Sequence, residues 1–216
     1  MTPERFQKIK NILNKRQPDL TVVMDNVNKP HNLAAIIRSC DAVGIGDIHG
    51  ISSNKQNIGV NLKSACGSNH WVNLHIHHSI PNVISELKQS GFSIYAANGS
   101  TKAIDYRKVD YTKPSVIVLG AELDGISPET LDAVDEVIKI PMQGMVESLN
   151  VSVANAVILF EAQRQRLQAG LYEKCRLDKN TVEKLLFEFS YPEAAKVYRS
   201  TEEPYPELDT EGQIIF

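Results

Sequence analysis

Arg38 lies in the stretch VNKPHNLAAIIRSCDAVGIG, a fixed positive charge in a segment whose other face is Leu33, Ala34, Ile36 and Ile37. Pro30 keeps a helix from running further back and Asn32 offers an oxygen to cap the first turn, so the spacing predicts a helix from Asn32 to about Ala42, ended by Gly44. An arginine there can pair with Asp41 three residues on, worth a few tenths of a kcal/mol. It can also be a charge kept for a ligand. Glu122 follows the apolar run SVIVLG and opens AELDGISPETLDAV, where Gly125 permits a tight turn and Ser127 with Pro128 supplies a cap and first helical residue. Ser148 and Asn150 fall where PMQGMVESLN becomes a long helix ended by Gly170, so each can cap that helix or touch a ligand. For Glu122 the ordinary alternative is a solvated loop acid, and for Ser148 and Asn150 it is helix capping alone.

LTVVMD, IGDIHGI, WVNLHIHH, FSIYAA, SVIVLGAE and EVIKIP are short apolar segments that alternate with helical patterns such as SIPNVISELKQSG. Alternation of this kind predicts an α/β fold, a mostly parallel sheet with helices on both faces. Ligands of such sheets bind beyond the carboxyl ends of the strands. Neither standard phosphate loop is present: Gly44, Gly46 and Gly50 precede a strand and lack the GxGxxG spacing, and no Walker A sequence occurs.

Composition narrows the class of protein. With 42% apolar and 23% charged residues the chain is ordinary for a globular protein. It contains no apolar run of about 18 residues, and MTPERFQKIK lacks a signal peptide's apolar core, so the expectation is a cytoplasmic protein without a membrane span. Cys40, Cys66 and Cys175 are odd in number and widely spaced, against both a disulfide framework and a zinc site. His75 and His77 would share one strand face, yet no cluster completes a metal site around them, and no metal is expected. The net charge of −3 is unevenly placed. Residues 1–20 carry +3 and residues 161–200 carry +2, whereas the last sixteen carry −5. Phe6, Ile9 and Leu13 at helical spacing predict a basic amphipathic N-terminal helix. The acidic tail should repel nucleic acid, and either packs elsewhere or stays mobile.

Three stretches together carry a resemblance. NLAAIIR, LGAELDGIS and IPMQGMVESLNVSVANAV, in this order and spacing, resemble the three motifs of the SpoU/TrmH class of SPOUT RNA methyltransferases. KRQPDLTVVMDNVNKPHN, DYRKVDYTKP and LFEAQRQRLQAGLY extend the likeness from the N-terminal helix to about Tyr205. The resemblance implies a parallel-sheet domain with a deep C-terminal trefoil knot, S-adenosylmethionine bound in the knot, and a homodimer in which two subunits complete each site. It implies 2'-O-methylation of a tRNA ribose, at a D-loop guanosine if the full-length likeness holds. Ribosomal RNA as substrate and a silent RNA-binding relative are the alternatives. Compact flanks favour tRNA, and the presence of all five motif side chains speaks against a silent relative.

Residue by residue, Arg38 matches the arginine that activates the hydroxyl with help from an RNA phosphate. A guanidinium, with a pKa above about 12, is a poor base, so orienting phosphate and stabilising alkoxide charge is the better role. At an otherwise apolar helix the fixed charge would be costly if buried unpaired. Asn32 matches the residue that arranges this arginine, Glu122 a carboxylate that holds Asn32 or Arg38, and Ser148 and Asn150 residues that shape the loop around cofactor and ribose. Cofactor contacts are expected at Ala97, Leu119, Gly120, Ile140, Met142 and Leu149, largely through backbone. Arg5, Lys8, Lys10, Lys15, Arg16, Arg164, Arg166 and Arg176 are candidates for gripping the tRNA backbone. The implied organisation is a basic helix at 1–19, the methyltransferase domain at 20–170, and a helical extension with acidic tail at 171–216.

Overall fold

The computed structural model describes residues 1–51, 70–121 and 124–215. They divide into two compact units, residues 18–169 and residues 1–17 with 170–216.

The larger unit is built on strands β1 (Leu20–Asp25), β2 (Asp47–Ile51), β3 (Asn73–His77), β4 (Ser93–Ala97), β5 (Ile104–Asp105), β6 (Ser115–Gly120) and β7 (Glu136–Lys139). They form one sheet in the order β3-β2-β1-β6-β4-β7-β5, with every neighbouring pair parallel. The central strands β1 and β6 are apolar on both faces, as a sheet covered twice requires. The two-residue β5 at one edge is too short to read as a strand in the sequence, and was not expected.

Helices α2 (Pro30–Ala42) and α5 (Val151–Gln168) cover one face. Helices α3 (Ile80–Gln89) and α4 (Pro128–Ala133) cover the other. Val22 and Leu119 point into the first layer and Val23 and Val118 into the second, all at or near zero exposure. Each such side chain stabilises the fold by about 1.5–3 kcal/mol. Helix α2 starts two residues earlier than predicted. Pro30 fits the first turn because its ring presets φ and that turn needs no N–H there, so Lys29 becomes the cap and Asn32 is released from that duty. Ser127 and Pro128 open α4 as expected. Cys40 is fully buried against Asn155 of α5, and burial pushes its thiol pKa up, which keeps it protonated and inert.

The smaller unit holds α1 (Pro3–Leu13), α6 (Lys179–Ser190) and α7 (Pro192–Thr201). Phe6, Ile9 and Leu13 are its buried stripe on α1, as the spacing predicted. Phe187 stacks on Tyr205 at 4.7 Å between ring centroids and meets Tyr191 and Tyr198. The acidic tail belongs to this unit. Leu208 bridges Ile214, the Tyr191 hydroxyl donates to the Gly212 carbonyl at 2.7 Å, and Gly212 lies so close to Phe6 that a Cβ would sit 2.4 Å from the ring.

Candidate active site

The carboxyl ends of β4, β6 and β7 converge with the loop 141–150 and the first turns of α5 on a cavity of about 460 Å³. That volume is in the range of small-molecule sites. Ala97, Leu119, Gly120, Ile140, Met142 and Leu149, expected on separate stretches, all line this one cavity, and so do Ser148 and Asn150. Asn98, Ile126 and Glu147 also line it and were missed. The rule that ligands bind past strand ends pointed to Asn98, which follows β4 directly.

One wall is the turn after β6. Ala121 and Gly125 exchange two backbone hydrogen bonds of 2.9 Å, and Gly125 takes the left-handed φ of +68° that closes so short a turn. Gly120 presses against it: a Cβ there would stand 2.2 Å from the Gly125 carbonyl carbon. Glu122 lies outside the described residues.

Asn150 caps α5, its oxygen accepting from the Ser152 amide at 2.9 Å, while its own amide donates to Asn32 Oδ1 at 3.2 Å. The capping role read from the sequence therefore operates through one end of the side chain, while the other end reaches Asn32, a partner the sequence did not suggest. Asn32 is 1% exposed in the first turn of α2. The sequence made Asn32 the helix cap; this is corrected, because the helix begins before it and its oxygen faces Asn150. Arg38, two turns on, points to solvent and makes no ion pair among the described residues, Asp41 included. The expected cost of holding this charge in an apolar environment does not arise. It does not line the cavity of its own chain.

The candidate RNA contacts separate into two groups. Arg5, Lys8 and Lys10 on α1 and Lys15 just after it are exposed, and Arg164 is exposed but engages Glu161 at 2.7 Å, which holds that carboxyl below its usual range. Arg176 is half-buried and donates to Gln17. Arg16 and Arg166 are corrected: they are 2% and 0% exposed. The Arg166 guanidinium is used inside the protein, donating to Asp19 at 2.6 Å and to the carbonyls of Tyr111, Asp19 and Lys113. A buried arginine needs that many acceptors, and none of its N–H groups reaches a surface.

An all-parallel sheet with a largely apolar cavity at its strand ends defines a cofactor-binding α/β protein. The SpoU rRNA methylase family model matches residues 19–160, and the model for the C-terminal region of SpoU rRNA methylases matches residues 164–216. The chain belongs to the SpoU methylase family. It is 45% identical over 216 residues to a tRNA (guanosine(18)-2'-O)-methyltransferase of Escherichia coli, covering 99% of this chain and 94% of that one. A crystal structure of the A. aeolicus TrmH/SpoU tRNA modifying enzyme matches with a TM-score of 0.82 and 41% identity, over 88% of this chain and 96% of the other. The SpoU methyltransferase AviRb from Streptomyces viridochromogenes, in complex with AdoMet, matches with a TM-score of 0.63 and 25% identity, over 71% and 59%.

Proposed function

We propose that this chain methylates the ribose 2'-hydroxyl of guanosine 18 in tRNA, using S-adenosylmethionine. The observation that carries the reading is the shared cavity: three stretches far apart in sequence meet there, and its rim is joined through Asn150 to Asn32 on the helix of Arg38.

The cavity suits the cofactor. Leu119, Ile138, Ile140 and Leu149 offer apolar walls for an adenine ring, and the strand ends offer backbone groups that read its edge. S-adenosylmethionine supplies an electrophilic sulfonium methyl. The chain's task is then positioning and proton removal from the attacking hydroxyl. Ser148 and Asn150 shape the loop beside the ribose. Arg38, exposed and unpaired among the described residues, holds an RNA phosphate and stabilises charge on the ribose oxygen. Asn32 fixes the helix start from which Arg38 projects.

Two copies of the chain complete each site in this reading. Val153, Phe160 and Leu167 recur every seven residues on α5 and are 46%, 49% and 56% exposed, and Met145 and Val146 extend the apolar surface in the adjoining loop. Such a stripe fits a second copy. It lies beside the cavity that Arg38 of the same chain does not line. Arg5, Lys8, Lys10 and Lys15 provide a basic face for the tRNA backbone. The test is transfer of labelled methyl to an unmodified tRNA transcript, with mapping of the ribose that resists alkaline cleavage. Label at guanosine 18 supports the proposal. Label on ribosomal RNA alone replaces the substrate, and no transfer to either overturns the enzymatic reading.

A further inference from the structure

Asp25 ends β1 beside Gly120 of β6 in the sheet register and is only 2% exposed. A carboxylate so buried needs donors, and it finds them in two directions. Oδ2 accepts from the Ser127 amide at 3.0 Å, the Ser127 hydroxyl at 2.9 Å and the Thr130 hydroxyl at 3.0 Å. The two hydroxyls are themselves 2.6 Å apart. Oδ1 accepts from the Asn26 amide at 2.9 Å. Asn26 has a φ of +55°, the left-handed conformation that turns the chain out of β1 toward α2.

These contacts place one side chain under both halves of the site. Ser127 directly follows Gly125 and Ile126, which line the cavity, so holding Ser127 fixes the far end of the turn whose near end is Gly120. Holding Asn26 fixes the connection into the helix that carries Asn32 and Arg38. Asp25 touches neither cavity nor solvent, so it acts through what it holds.

We infer that Asp25 is a positioning residue for the cofactor cavity, clamping the turn after β6 to the exit of β1. The inference rests on the cavity being the S-adenosylmethionine site. An asparagine can still present one oxygen to Ser127 and Thr130, with its amide turned toward a flipped Asn26 side chain. An alanine leaves all four donors without their acceptor.

The experiment is calorimetric titration of S-adenosylmethionine into the full-length protein, with steady-state methyl transfer and thermal melting alongside. Asp25→Ala should raise the Kd and the KM for S-adenosylmethionine about tenfold, and leave the KM for tRNA in place. Asp25→Asn should restore most of the affinity. Should Asp25→Ala fail to fold, Ser127→Ala with Thr130→Val keeps the carboxylate, removes the two hydroxyl donors together with the Ser127 cap of α4, and should weaken cofactor binding in the same direction. Wild-type affinity in a folded Asp25→Ala or in the double variant overturns the inference, a lowered melting temperature alone being a purely structural role. Failure of the wild-type protein to bind S-adenosylmethionine would instead overturn the reading of the cavity on which it stands.

Discussion

The amide of Asn150 donates to Asn32 Oδ1 across 3.2 Å, tying the first turn of α5 to the first turn of α2. Two residues 118 positions apart thereby hold together the loop that rims the cavity and the helix that bears Arg38. Asn150→Asp separates the two duties. The new carboxylate still accepts from the Ser152 amide and keeps the cap, but it has no donor for Asn32. Thermal stability should hardly change, while methyl transfer should fall by about 10- to 100-fold, as for other residues that orient a reacting group. Loss of stability in step with activity would show that the cap matters and the pairing does not.

Arg38→Ala should abolish methyl transfer with cofactor affinity intact, since Arg38 does not line the cavity of its own chain. Calorimetry settles the affinity. If Arg38 serves the cavity of a second copy, mixing Arg38→Ala subunits with subunits defective in the cavity regenerates one working site in each mixed dimer. Absence of recovered activity in the mixture would assign Arg38 to its own subunit.

Gly120→Ala tests the cavity wall. The added methyl would stand 2.2 Å from backbone of Gly125, which cannot yield as a flexible side chain does. The turn after β6 must move, and cofactor binding should be lost while β1 and β6 still pair through their preceding five residues. A variant with wild-type affinity in a titration would remove this turn from the site.

Two arginines of α5 make a contrasting pair. Arg166→Ala leaves Asp19 without its buried partner and should cost about 3–5 kcal/mol in a urea melt. Arg164→Ala breaks an exposed pair with Glu161 and should cost under about 1 kcal/mol. Lys8→Ala on α1 with Lys15→Ala just after it should leave stability unchanged and reduce the salt slope of tRNA binding by about two. An unaltered slope would return that face to solvent.

Stability should depend on pH through His49. Its Nδ1 lies 3.0 Å from Nε2 of His77, and its ring stacks on His75. Burial first, then the neighbouring His75 and His77, pull its pKa down to about 4, while Asp47 opposes. His77 is lowered too, mainly by burial, with Glu86 opposing. The unfolded chain takes up these protons near pH 6.5 and the folded chain only well below it. The contribution is therefore complete above about pH 6.5 and is lost as the pH falls toward about 4. Denaturant midpoints measured across that window should show a slope that His49→Leu flattens.

Much of the architecture was legible because it rests on local physics. Period-two and continuous apolar runs marked six of the seven strands. Ser127 with Pro128, and Asn150, marked helix starts by the chemistry of their own side chains. Two of the three motif stretches, LGAELDGIS and IPMQGMVESLNVSVANAV, supply lining residues of the one cavity, as their resemblance implied. What the sequence could not set was direction and partner. Arg164 and Arg166 are two residues apart on one helix, about 200° around its axis, and only packing decides that one meets solvent and the other Asp19. Asn32 looked like a cap because capping is local, and its real partner lies 118 residues away. Asp25 ended an apolar strand, and apart from the neighbouring Asn26 its donors are Ser127 and Thr130 at the start of α4, 102 and 105 residues on. Periodicity and capping are encoded within a few residues, so the sequence determined them; the company a buried polar group keeps depends on which segments the fold brings together, and tertiary structure alone decided it.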